Sequence, residues 1–293
     1  LAFTTRSENY TDAFPTLQVR YEAAPNLLFR ATYSTGVGRP GFLQNSAATT
    51  SNHDVTDPLI SQGNPNLKAT TGANFDLSLE YYMDGGGVVQ LGVFDKEFDN
   101  YIVRQFQRRL YVGSDPTFAG LLVGYSTYAN RSGAYARGAE AAYHQQFSWL
   151  PGLWSGLGVD ANVTLVDSHI QEYDAATSSS GHAESGLLPG TSRATGNLAG
   201  FYEAHGLELR LAGEYVSKEL FSLGGSKATD TIQDDRLTLD FTSSYRLTSS
   251  WTVYFNAKNL TNAPLRFYLA NVNYPIQREY YDETFEAGVR ARF

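Results

Sequence analysis

Tyr281-Asp-Glu-Thr-Phe-Glu-Ala-Gly-Val-Arg-Ala-Arg-Phe293, the last stretch of the chain, alternates with period two. Tyr281, Phe285, Ala287, Val289, Ala291 and Phe293 fall on one side, and Asp282, Thr284, Glu286, Arg290 and Arg292 on the other. Successive side chains of a β-strand point to opposite faces, so the pattern predicts a strand with one apolar and one charged face. The same alternation recurs upstream: Trp251, Val253, Phe255 and Ala257; Leu237, Leu239 and Phe241; Leu207, Leu209 and Leu211; Leu157, Val159, Ala161, Val163 and Leu165. Nearer the start the rows are Phe75, Leu77, Leu79 and Tyr81, then Leu27, Phe29, Ala31 and Tyr33, then Leu17, Val19 and Tyr21. These segments run to ten residues or more, where soluble strands cluster at about five or six. Long alternating strands joined by turns are the pattern of a transmembrane β-barrel.

No stretch approaches the roughly 18 uninterrupted apolar residues of a transmembrane helix, which excludes a helical membrane protein. The 20 Tyr and 17 Phe suit a molecule with much surface where hydrocarbon meets water. With no cysteine in the chain, disulfide scaffolds, Cys zinc sites and thiol nucleophiles are all excluded. A net charge of -8 without a run of basic residues speaks against nucleic acid as a partner. Leu1-Ala2-Phe3 shows neither Met nor a secretory leader, so an exported protein is expected to have a further portion upstream.

The connections sort by length. Short ones are expected at Ala24-Pro25-Asn26, Asp84 to Gly86, Leu150-Pro151-Gly152, His205-Gly206 and Thr248 to Ser250. Long ones are expected at Gly38 to Thr70, Gln105 to Leu122, His169 to Gly190, Phe221 to Asp234 and Thr261 to Tyr280. Strict alternation puts all short turns at one end of the sheet and all long loops at the other, as in outer-membrane barrels. A soluble Tyr-rich β-sandwich, the competing reading, has no reason to sort its loops.

Departures from the pattern cluster at the long-loop end. Glu283 and Asp167 stand on the apolar face there, where a charge lies near headgroups and costs about 0–1 kcal/mol instead of ~2–4 at the midplane. Between Gly87 and Arg104 the row Val89, Leu91, Val93 gives way to Asp95 and Glu97. Either a bulge near Asp95 or a strand that projects beyond the bilayer accounts for this.

The opposite face holds charges of both signs, among them Arg20, Arg30, Asp76, Glu80, Asp160, Glu208, Arg210, Asp240, Glu286 and Arg290. So many long charged side chains need a wide lumen filled by water or a polar partner. About eleven strands are expected, an odd number, whereas bacterial single-chain barrels have even counts and plugged transporters have 22. The fold class is therefore all-β: an antiparallel up-and-down transmembrane barrel of which residues 1–293 form an open half.

Other motifs carry little. Gly36-Val-Gly-Arg-Pro-Gly41 matches a dinucleotide-binding fingerprint, but Pro40 and a polar loop follow where a helix must begin. His53, His144, His169, His182 and His205 show no metal-ligand spacing, and no G-x-S-x-G is present. No enzyme and no cofactor are expected.

At this point particular residues resemble a family. Arg30-Ala-Thr-Tyr-Ser-Thr-Gly-Val-Gly-Arg-Pro40, Gly63-Asn-Pro-Asn-Leu-Lys68, Asn74-Phe-Asp-Leu-Ser-Leu-Glu-Tyr-Tyr82, Gly138-Ala-Glu140, Asn259-Leu-Thr-Asn262 and Pro275-Ile-Gln-Arg-Glu-Tyr-Tyr281 look like the barrel of TonB-dependent outer-membrane receptors. The phrasing is most similar to receptors of Caulobacter and Xanthomonas type. The resemblance implies energised uptake of a scarce nutrient, carbohydrate or ferric siderophore, through a 22-strand barrel closed by an N-terminal plug. It implies as partners outer-membrane lipid, that plug, the TonB complex acting through the missing N-terminal region, the barrel-insertion machinery and an extracellular ligand. It also implies that the terminal aromatic, Phe293, is an assembly signal. Ligand contacts are expected on the outer loops at Arg39, Arg108, Arg109, Tyr111, Arg266, Tyr268 and Tyr274. A passive porin or a non-transporting barrel such as an adhesin is the alternative.

Overall fold

A computed structural model describes residues 11, 13–170, 187–224 and 227–292. Phe293 and residues 171–186 of one long connection lie outside them. Among the described residues there are nineteen strands, numbered in chain order, and the helical pieces are short 3-10 turns. None of the described helices is long and apolar enough to cross a membrane, which bears on helices alone.

Eleven strands of 8 to 13 residues form one antiparallel sheet in which every neighbour follows its predecessor in sequence order. They are β1 (Thr16–Ala24), β2 (Leu27–Gly38), β5 (Thr70–Tyr82), β6 (Val88–Asp99), β9 (Ala134–Gln146) and β10 (Leu157–His169). The series continues with β11 (Ala194–Ala204), β12 (Leu207–Val216), β15 (Arg236–Arg246), β16 (Trp251–Lys258) and β19 (Thr284–Ala291). A tilted strand of about 9–11 residues crosses a bilayer, so these lengths suit spanning. The sheet is open, with β1 and β19 as its edges.

Register carries the predicted faces across the whole sheet. Leu17 stands opposite Tyr33, Tyr33 opposite Phe75, Leu165 opposite Ala139 and Phe255 opposite Ala287. Leu77 (57% exposed), Leu165 (54%), Leu198 (62%) and Phe285 (62%) lie open on this outer face. A soluble monomer does not expose an apolar patch of this extent. The other face pairs its charges laterally. Arg30 lies 2.8 Å from Glu80, whose carboxylate also accepts the Tyr82 hydroxyl at 2.5 Å. Asp160 is bound by both His144 and Arg210, and His144 stacks on Phe201 with centroids 5.7 Å apart.

The short connections are tight. His205 (φ 52) and Gly206 (φ 78) close β11 and β12 with two left-handed residues, the geometry that matches the twist of a two-residue hairpin. The Leu150-Pro151-Gly152 turn is longer than expected, running from Phe147 to Gly156 with a 3-10 segment at Gly152–Gly156.

Of the two accounts of residues 87–104 the structure removes the first, and it ends the strand at Asp99 instead of Arg104. β6 pairs with β5 and β9 without a register shift, so there is no bulge at Asp95. The unbroken pairing fits the other account, a strand running on past the apolar band: its outer-face Asp95 lies 3.6 Å from Arg137 of β9, and on β10 the Asp167 carboxylate accepts from the Tyr135 hydroxyl at 3.2 Å. At Asn100 (φ 53) the chain turns, and the next residues begin another sheet. The long connection is therefore 100–133 rather than Gln105 to Leu122. The last strand begins at Thr284, so Tyr281 and Glu283 precede it.

Loop sorting yields a direct test. In the full-length protein, cysteines at Ala48 and Asn273 should react with a membrane-impermeant thiol reagent on intact cells, and one at Gly86 should not. Equal labelling at all three sites would overturn the topology.

Candidate functional site

Two further four-stranded sheets, absent from the sequence reading, are built from the long connections. The first has the order β3 (Thr49–Ser51), β4 (Leu59–Gln62), β8 (Leu122–Arg131), β7 (Tyr101–Leu110). A parallel pairing of β4 with β8, Leu59 opposite Gly124, welds the connection after β2 to the one after β6. Asn130 strengthens the joint: its side chain accepts from the Lys68 N–H at 2.8 Å and donates to the carbonyls of Lys68 (2.8 Å) and Asn100 (2.7 Å). Leu67, Phe118 and Val123 are buried here, so the connections have a small core of their own.

Arg108 and Arg109 lie on β7 with their side chains on opposite faces of this sheet, and Tyr111 directly follows the strand. Arg108 pairs with Asp57, and the Arg109 guanidinium sits 4.1 Å over the Tyr125 ring. Tyr111 packs edge-on against Phe118 at 5.4 Å, and its hydroxyl accepts the Asp115 N–H at 3.1 Å. The Asp115 carboxylate accepts the Thr117 N–H, which holds its pKa below the usual value. Arg39 follows β2 and is exposed.

The second sheet has the order β13 (Glu219–Ser222), β14 (Thr231–Gln233), β17 (Leu265–Leu269), β18 (Pro275–Glu279). Arg266 is paired with Asp234, a buried carboxylate whose own N–H donates to the Arg266 carbonyl at 2.9 Å. Tyr268 is 6% exposed, and burial raises the pKa of its hydroxyl. Tyr274 projects into solvent from the β17–β18 turn. Arg266, Tyr268 and Tyr274 thus share a sheet different from that of Arg108, Arg109 and Tyr111.

Two cation–ring pairs contain residues that sequence reasoning missed. Tyr125 under Arg109 is one, and Arg278 over Tyr280 at 5.1 Å is the other. The first has a weak sequence signal, since 101–110 and 122–131 are rich in β-formers, but nothing local sets their register. Among the described residues no group of three or more His, Asp or Glu could hold a metal ion. A groove of about 500 Å³ lined by Leu198, Leu211, Gly213 and Leu239 opens on the outer apolar face, away from the charged interior.

An eleven-strand sheet with one apolar face, one charged face and all long connections at one end is the geometry of part of a large barrel. A family model described as TonB dependent receptor-like, beta-barrel, matches residues 2–260. The chain belongs to the TonB-dependent receptor β-barrel family. Members of this family are outer-membrane β-barrels. No curated protein shows significant sequence similarity to the chain.

Solved structures agree on the fold of the receptor barrel. A mutant of the ferric enterobactin receptor PfeA of Pseudomonas aeruginosa is 18% identical with a TM-score of 0.65, over 96% of this chain and 40% of that one. The siderophore receptor PirA of Acinetobacter baumannii is 13% identical, TM-score 0.66, over 96% and 41%. The ferric-catecholate import receptor Fiu of E. coli K12 is 14% identical, TM-score 0.62, over 95% and 34%. This chain therefore spans about two fifths or less of the length of these receptors.

Proposed function

We propose that this chain is the barrel portion of a receptor for energised uptake of a ferric siderophore across the outer membrane. The observation that carries the ligand class is the loop strand β7, which sets Arg109 over the Tyr125 ring on one face, while Arg104 and Arg108, on the other face, are taken up by Ser126 and Asp57. A guanidinium held over an aromatic face suits a large anionic chelate with aromatic groups, through charge-assisted hydrogen bonds and stacking. Tyr111 just past the end of β7, Arg39 after β2 and Tyr274 on the second loop sheet are further ligand contacts in this reading. Arg266, held by Asp234, and the buried Tyr268 act by keeping the second loop sheet in shape. In this reading a plug elsewhere in the full-length protein closes the lumen, meeting the ion pairs of the inner face, and the TonB complex acts through that region.

Cells carrying the full-length protein should take up radiolabelled iron from ferric catecholate chelates and lose that uptake when TonB is deleted. Uptake of an oligosaccharide instead would overturn the ligand class, and TonB-independent diffusion would favour a passive porin. Arg109→Ala should weaken chelate binding by roughly 10–100-fold, as expected for a lost charge-assisted contact of about 1.5–3 kcal/mol. Equilibrium binding to purified receptor checks this, and unchanged affinity would remove Arg109 from the site.

A further inference from the structure

Four of the five short connections hold two to five residues: 25–26, 83–87, 205–206 and 247–250. The fifth, 147–156, holds ten and carries Trp149, Leu153 and Trp154, which are 63%, 67% and 64% exposed. None of the other four contains tryptophan. The turn is well formed: the Trp154 N–H donates to the Pro151 carbonyl at 3.3 Å, the Ser155 hydroxyl to the Gly152 carbonyl at 2.8 Å, and Phe147 packs edge-on against Trp149 at 5.3 Å. So much exposed aromatic surface on an ordered turn needs a partner.

The side to which the turn leans identifies that partner. A Cβ at Gly156 would fall 2.7 Å from the Ala204 side chain and 2.9 Å from the Tyr202 ring. Tyr202 stands in register with Leu157 and Leu209 on the outer face, and Ala204 follows it two residues on. The end of the 3-10 segment thus packs against outer-face side chains, and Phe147, against which Trp149 packs, follows Tyr143 and Gln145 in the outward row, while on the charged side the Gln146 amide donates to the Ser155 carbonyl at 3.4 Å. The turn continues a row of outward aromatics at the short-turn ends of the strands: Tyr81, Tyr143, Tyr202, Tyr245 and Trp251. Between His144 and Asp160 there is no charged residue, so charge steering toward an ionic partner is absent from the turn. Indole rings with an apolar body and one N–H donor favour the boundary between hydrocarbon and headgroups.

We propose that the 147–156 turn is an interfacial anchor that lies in the periplasmic leaflet with Trp149, Leu153 and Trp154 inserted at the headgroup–acyl boundary. Its ligand is the lipid surface itself, bound without a requirement for anionic headgroups. The inference rests on the membrane placement of the barrel and is independent of what the receptor transports.

The test uses nitroxide labels on the full-length protein, checked for heat-modifiable folding and reconstituted into phosphatidylcholine vesicles with and without phosphatidylglycerol. Labels are placed by Leu153→Cys, by Asp84→Cys in a polar short turn and by Leu211→Cys on the apolar band. At position 153, collision with oxygen should rise and collision with a water-soluble nickel chelate should fall severalfold relative to position 84, equally in both lipid mixtures. Chelate access at 153 equal to that at 84 would overturn the anchor. Shielding of 153 from both reagents would also overturn it and assign the turn to a protein contact. Free chelate access at position 211 would instead sink the membrane placement, which separates the two failures.

Discussion

A full-length receptor carrying Phe255→Arg should fail to accumulate as a heat-modifiable barrel in outer-membrane fractions, while Asn256→Arg should assemble at near wild-type levels. Phe255 faces outward between Ser243 and Ala287, with the Phe241 and Phe285 rings 6.3 and 6.4 Å away. It lies four residues above the Trp251 end of its strand, inside the apolar band. An arginine there costs roughly 2–4 kcal/mol, a large part of a net stability of about 5–15 kcal/mol. Asn256 faces the other way and donates to the Glu286 carboxylate at 3.4 Å, so an arginine at 256 meets an opposite charge in a polar lumen. Equal assembly of the two variants would overturn the assignment of the faces, and the opposite order would mean that they are reversed.

Residues 1–293 expressed alone should not yield a closed, conducting barrel. The sheet ends at β1 and β19, which leaves nine residues of edge at one side and eight at the other. Hydrocarbon offers no hydrogen-bond partner to such edges, and each unsatisfied backbone group in lipid costs several kcal/mol. The charged inner face would also have no polar partner to meet it. The expected product in detergent is an aggregate or an edge-to-edge oligomer, read by size-exclusion chromatography and by the absence of single-channel conductance. A monodisperse monomer that conducts in planar bilayers would overturn the half-barrel reading and make a small porin the better account.

The candidate site was only partly legible in the sequence. Arg108, Arg109 and Tyr111 could be chosen by residue type and by their place in a long connection, and they do fall on or directly after one strand. What binds each of them could not. Asp57 lies 51 residues before Arg108, and Tyr125 reaches Arg109 only through the β7–β8 register. The break at Asn100 was missed because a plausible strand pattern resumes on its far side, and one left-handed residue is enough to send the chain into another sheet.

The sequence by itself determined the eleven spanning strands, their two faces and the sorting of short turns from long connections. Those features are local: period two follows from the pleat, and turn residues act over two to four positions. Tertiary structure alone decided that the long connections fold into two sheets, that Leu59–Ser61 runs parallel to Gly124–Ser126, and that Arg266 is committed to Asp234. A short strand has no preferred partner until a distant segment is brought beside it, because its hydrogen bonds and side-chain contacts are all supplied by that segment.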